Sequence, residues 1–159
     1  MTDYSKALRD KALLFLARRE HGRAELRQKL LSSTLAPEDC DPLAVDALLT
    51  ALVASDLQSD ARYVELYVRT RLHAGYGPRS IRCALEKKSI GPDLIEDALS
   101  STPQAWSDQI SSVWLKKYDG KKPVTKKEYA RQCRFLSHRG FSSEMISHLK
   151  LFEAIEHDK

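Results

Sequence analysis

The chain has 159 residues, 42% of them apolar and 30% charged, which suits one folded domain or a short array of small units rather than a disordered segment. Its 26 basic and 22 acidic groups leave a net charge of +4, mildly basic, which points to an anionic partner. The longest clean apolar run, residues 12–17, is too short for a membrane span or a signal-peptide core, so a soluble, cytoplasmic protein is expected.

The elements are helical in chain order. Leu8, Ala12, Phe15 and Leu16 make one stripe, and Val45, Leu48, Leu49, Leu52 and Val53 a second. Tyr63, Leu66, Tyr67 and Thr70 make a third, followed by Trp106, Ile110, Val113 and Trp114. No run of alternating β-branched residues reads as a strand, so the fold is expected to be all-α. Gly77-Pro78, Gly91-Pro92 and Thr102-Pro103 place proline at a first helical position, where its missing N–H costs nothing. Thr125 and Glu128 have the spacing of a capping box, and Gly140 that of a left-handed helix end. These signals predict about nine helices, at 5–19, 23–31, 41–55, 60–74, 78–89, 92–101, 103–118, 126–139 and 142–156. Residues 32–42 are expected to be a longer loop.

The helices group in threes. Leu85, Ile90 and Ile95 are spaced by five residues each, and Leu136, Phe141 and Ile146 repeat that spacing 51 residues later. Leu26 and Leu30 answer Ile81 and Leu85 more loosely, at a displacement of 55. The pattern predicts a tandem array of three three-helix repeats, 1–58, 59–101 and 102–159, elongated and curved. Charge follows the same period. Segments 1–31, 62–88 and 116–139 carry +4, +5 and +7, whereas 32–61, 89–115 and 140–159 carry −6, −4 and −2. Stacked units would line these up as a basic and an acidic face, suited to an extended partner.

The stretch "RTRLHAGYGPRSIRCALEKKSI", residues 69–90, contains a G-x-G that invites comparison with a phosphate loop. A phosphate loop needs a preceding strand and either a third glycine or G-K-[ST], and none of these is present. The expected role is a turn. Gly75 ends one helix, Tyr76 packs as an anchor, Gly77 lets backbones approach, and Pro78 starts the next helix.

"GYGPRSIRCALEKKSI", preceded by "LARREHGRAELRQKL" and "SDARYVELYVRTR", resembles the RecX family of bacterial recombination regulators. "RFLSHRGFSSEMI", residues 134–146, is similar to the family's third-repeat ending, and the likeness runs over about residues 8–155. Ser59-Asp60 stands where two acidic residues are usual, Ser89 replaces the usual Gly before Ile90, and Gly22 replaces the common Ser or Thr after His21. The resemblance implies a helical array that binds the RecA filament on DNA, in its groove or at its growing end. Recombination, ATP hydrolysis and coprotease action would thereby be inhibited.

The expected binding surface is basic. It comprises Arg18, Arg19, Arg23 and Arg27 in the first repeat, and Arg62, Arg69, Arg71, Arg79, Arg82, Lys87 and Lys88 in the second. Lys121, Lys122, Lys126, Lys127, Arg131 and Arg134 complete it in the third, where Lys116 and Lys117 add to the densest charge. Guanidinium groups grip carboxylate and phosphate alike, so an acidic protein groove and a DNA backbone, single-stranded or duplex, both fit. Arg62 also fits a structural pairing at a helix start. Tyr63, Tyr67, Trp106 and Trp114 read as core. The three cysteines, Cys40, Cys83 and Cys133, lack C-x-x-C spacing and read as reduced thiols partly buried in helices. The five histidines, His21, His73, His138, His148 and His157, lack ligand spacing, so no metal or other cofactor is expected. No nucleophile–base set is evident, so a monomeric, non-enzymatic regulator is expected. The alternative is a helical module acting directly on DNA.

Overall fold

A computed structural model describes residues 3–33, 41–101 and 103–151. Among these residues there are nine helices and no strand. They are α1 (Asp3–Arg18), α2 (Arg23–Ser32), α3 (Pro42–Ala54), α4 (Asp60–His73), α5 (Pro78–Lys87), α6 (Pro92–Ser100), α7 (Pro103–Tyr118), α8 (Lys126–His138) and α9 (Ser143–Ser147). Thr102, Cys40, His157 and most of the expected 32–42 loop lie outside the described residues, as does the end of the expected last helix.

The start signals act where the sequence places them. Pro42, Pro78, Pro92 and Pro103 each open a helix, and Asp41 caps α3 by accepting the Leu43 N–H. Thr125 and Glu128 form the reciprocal capping box of α8. The last helix is shorter than 142–156. It ends at Ser147, and Lys150 turns back in the left-handed region at φ 51°. That turn places Leu151 in the apolar cluster, 2% exposed, in exchange for helix continuation.

The chain divides into two compact units, residues 1–66 with 86–94, and residues 67–85 with 95–159. In the first, Leu8, Ala12, Leu26, Leu30, Val45, Leu49 and Leu52 form a single apolar cluster across α1, α2 and α3. Its polar counterpart sits at the start of α2. Gly22 offers no side-chain cap, and Asp60 supplies one from the far side, its Oδ1 accepting the Arg23 N–H at 2.7 Å. Gln58, fully buried, donates from its amide both to that carboxylate and to the His21 carbonyl. Asp60, the retained acid of the Ser59-Asp60 pair, thus caps α2, while the Ser59 hydroxyl accepts the Arg62 N–H in α4's first turn.

In the second unit, Ile110, Trp114, Leu136, Phe141, Ile146 and Leu151 pack together. Gln132 is the buried polar member of this region, in the slot that the 51-residue repeat gives to Ile81. Its Oε1 accepts the Trp114 indole N–H at 2.8 Å and its Nε2 donates to the Lys121 carbonyl at 3.2 Å. Both ends of the amide are therefore used, one to orient the indole and one to hold the α7–α8 loop.

The 75–78 stretch is the expected turn. Gly75 leaves α4 at φ 89°, and Gly77 crosses the chain at Gly140. The Gly77 N–H donates to the Arg139 carbonyl at 2.7 Å and the Arg79 N–H to the Gly140 carbonyl at 3.0 Å. A Cβ on Gly77 would stand 2.5 Å from the Gly140 carbonyl carbon, and one on Gly140 would stand 2.4 Å from the Ser80 Cβ. Gly140 also ends α8 in the left-handed region, at φ 98°.

The α4 stripe differs from the expected one. Tyr63, Val64 and Val68 are buried, whereas Leu66 and Thr70 are exposed and Tyr67 is half-buried. The buried face lies one position round the helix, because the β-branched valines take the core side. Tyr67 instead receives the Arg71 guanidinium on its ring. Cys83 is exposed rather than partly buried, and Cys133 is half-buried.

Candidate partner-binding surface

The predicted arginines fall into two groups, one spent on holding the fold and one left facing solvent. In the first unit the spent group surrounds α2. Arg19 forks onto Glu25 and also donates to the Glu20 carbonyl. Arg27 is bidentate to Asp46, through Nε at 2.7 Å and Nη2 at 3.1 Å. Arg23 reaches the Thr50 hydroxyl at 3.1 Å. Arg62 bridges Glu20 and Asp56, at 2.9 and 2.6 Å, and donates to the Asp56 carbonyl as well. These forks set the ionisation of their partners. The Arg27 hydrogen bond holds Asp46 below the usual carboxylate range. Burial would raise Glu25, but the Arg19 fork, joined by the charges of His21 and Lys29, outweighs it and the net shift is downward.

His21 completes this region. It is 2% exposed, its Nδ1 faces the Arg19 carbonyl at 3.0 Å, and its Nε2 faces the Lys29 ammonium at 3.0 Å. An ammonium donating to Nε2 requires the neutral ring with its proton on Nδ1. Burial, above all, lowers the His21 pKa, and the charges of Arg19 and Lys29 push the same way. The imidazole is therefore a structural hydrogen-bonding group.

The remaining members of the first unit are Arg18 and Lys87, both exposed, and Lys88, half-buried. In the second unit Arg82 pairs with Glu96 across α5 and α6. Arg71 stacks on Tyr67 and on Tyr76, with centroid distances of 5.3 and 5.1 Å. Arg69, Arg79, Lys121, Lys122, Lys126, Lys127, Arg131 and Arg134 are exposed, and no carboxylate among the described residues pairs with them. Lys127, Arg131 and Arg134 share one side of α8 at i, i+4 and i+7, while Gln132 and Leu136 bury the other. Helical period thus sorts α8 into a core side and a cationic side. Arg139, which no motif marks beyond its place before Gly140, stacks on Tyr76 and Phe135 at 5.3 and 5.5 Å.

No group of three or more potential metal ligands occurs among the described residues, and no helix there is long and apolar enough to cross a membrane.

The all-helical architecture and the exposed cations without a carboxylate partner among the described residues are those of a helical-repeat protein with a basic surface. The family models for the second and third three-helix domains of RecX match residues 59–99 and 107–149. The regulatory protein RecX of Pseudomonas syringae pv. tomato is 40% identical over 147 residues, 92% of each chain. That of Pseudomonas tolaasii is 41% identical over 143 residues, covering 90% of this chain and 89% of the relative. A crystal structure of regulatory protein RecX superposes at a TM-score of 0.76 with 26% identity, covering 93% of this chain and 72% of the other. RecX from Lactobacillus salivarius shares the fold at a TM-score of 0.78 and 22% identity, covering 98% and 99%. The chain belongs to the RecX family of regulatory proteins.

Proposed function

We propose that this protein binds the RecA recombinase filament on DNA and restrains its strand exchange, ATP hydrolysis and coprotease activities. It does so from the filament groove or from the growing end, as a folded array with repeats at 1–58, 59–101 and 102–159. The observation that carries this reading, beside family membership, is the set of exposed cations without a carboxylate partner: Arg69, Arg79, Lys121, Lys122, Lys126, Lys127, Arg131 and Arg134. A cation already forked by its own chain must give up that partner to meet another, whereas an unpaired one gives up only water. Arg18 and Lys87 belong to the same available set, while Arg19, Arg23, Arg27, Arg62 and Arg82 act through the fold.

The test is ATP hydrolysis by the host RecA on single-stranded DNA, titrated with this protein at substoichiometric ratios. Hydrolysis is expected to fall well below one copy per RecA, and Arg79→Glu combined with Lys126→Glu, Lys127→Glu and Arg131→Glu to weaken the effect at least tenfold. Undiminished hydrolysis at equimolar folded protein would refute the reading. The cationic side of α8 also favours a second reading, direct action on DNA. That reading requires salt-dependent affinity for naked DNA and an inhibition of RecA that excess duplex competitor relieves.

A further inference from the structure

A cleft of about 520 Å³ opens in the second unit between the end of α4, α7 and α8. Its size suits a small organic ligand rather than a lone ion. His73, Ala74 and Gly75 form one wall, Gln109, Ser112, Val113, Lys116 and Lys117 another, and Phe135 and Arg139 the third. No carboxylate lines it.

The cations in it are arranged. Arg139 is held over Phe135 at 5.5 Å and over Tyr76 at 5.3 Å, and its Nη1 donates to the Ala74 carbonyl at 3.4 Å. Lys117 is held over the same Phe135 ring at 5.5 Å. Tyr118 braces that ring edge-on, with centroids 5.7 Å apart. The aromatic rings thus position two cationic groups that lack a carboxylate partner among the described residues, and Lys116 lines the same cleft. Gln109 and Ser112 add an amide and a hydroxyl, each able to donate and accept, and Val113 adds an apolar surface. Gly75 keeps the wall open, since a Cβ there would lie 3.2 Å from the Val113 Cγ2 and 3.6 Å from the Arg139 Nη1.

We propose that this cleft is a nucleotide site, with Arg139, Lys116 and Lys117 holding phosphate and Gln109, Ser112 and Val113 facing the base and sugar. Phosphate explains three cations without a counter-charge, and the remaining polar and apolar lining calls for more than phosphate. The cations come from side chains on α7 and α8, so the site owes nothing to a phosphate loop at the G-x-G. Two sources share this chemistry: a free nucleoside phosphate, or one residue of a nucleic-acid strand.

The test is fluorescence titration of the whole folded protein with N-methylanthraniloyl-ADP, competed by ADP, by a short oligothymidylate and by inorganic pyrophosphate. Saturable binding is expected, with Lys116→Gln/Lys117→Gln weakening it at least tenfold and Arg139→Gln doing the same. The lysine pair is exposed, so its loss leaves folding intact by circular dichroism even if Arg139→Gln perturbs its stacked neighbours. Lys6→Gln, an exposed lysine in the first unit, is expected to bind as the parent does. Displacement by ADP alone identifies a free nucleotide, and displacement by the oligonucleotide at lower concentration identifies a strand. Either supports the proposal. Absence of binding, equal competition by pyrophosphate, or equal weakening by Lys6→Gln overturns it. No RecA enters the assay, so its failure leaves the filament reading untouched.

Discussion

Replacing Gln132 by Leu isolates the value of one buried hydrogen bond. Leu approximates the volume of Gln and matches the apolar residue, Ile81, that occupies the repeat-equivalent slot. The substitution removes the acceptor of the Trp114 indole N–H, a donor buried with its ring at 8% exposure. Such an orphaned group costs about 1–3 kcal/mol. The Lys121 carbonyl also loses its donor, but it belongs to an exposed loop residue that water reaches, so its loss adds little. A net cost of about 2 kcal/mol follows, or a urea midpoint lower by about 1 M at an m-value of about 2 kcal/mol/M. Trp114→Phe removes the donor instead, at its own packing cost. In the double variant neither partner remains, so the penalty for stranding one should vanish. The double variant is then less destabilised than the sum of the singles, by about 1–2 kcal/mol. Trp106 lies in the same unit and its fluorescence reports the transition in all four proteins. Additivity within about 0.5 kcal/mol would refute the claim that this amide is fixed by its hydrogen bonds rather than by its shape.

Three further outcomes are expected. Gly77→Ala forces main chain against main chain at Gly140, and Gly140→Ala adds a left-handed penalty to a clash with Ser80. Each should cost about 3 kcal/mol or more and lower Tm by roughly 6–12 °C in differential scanning calorimetry, and a shift below 2 °C would deny the close crossing. Ser89 sits at φ 58°, so Ser89→Gly should stabilise by about 0.5–1 kcal/mol in urea denaturation, where an unchanged midpoint would mean the strain is relieved elsewhere. His21 has a folded pKa below its ordinary 6.5, so the unfolded chain binds the extra proton first. Stability is then flat above pH 6.5 and falls as pH drops below it, above the range where Glu25 and Asp46 protonate. His21→Gln should flatten urea midpoints between pH 7.5 and 5.

Helix positions were legible because their signals are local. A proline at a first position, a Thr and Glu three apart, or a glycine at a helix end acts within one turn. The five-residue spacing Leu136, Phe141, Ile146 was legible too, since all three residues are buried. What could not be read were partners distant in sequence. Asp60 caps a helix that starts 37 residues earlier, and Gln132 looks like any surface glutamine until Trp114 meets it. The same blindness governs the surface. Arg27 and Arg131 are indistinguishable as letters, but Asp46 lies opposite one and, among the described residues, no carboxylate pairs with the other. The α4 stripe was misplaced because Leu66 and Val64 offer similar hydrophobicity on nearly opposite sides of the helix, and only the neighbouring helices choose. Arg139 gained its place from two aromatic rings brought together by the fold.

The crossing at Gly77 and Gly140 joins main chain to main chain over roughly sixty intervening residues, so the loop it closes is the size of a small domain. Its two hydrogen bonds lie at the start of α5 and the end of α8, and bonds at helix ends open more readily than those in helix middles. The amide protons of Gly77 and Arg79 should therefore exchange with solvent together, and sooner than those in the middles of α5 and α8. A helical unit joined by such a main-chain seam can loosen there without melting its helices.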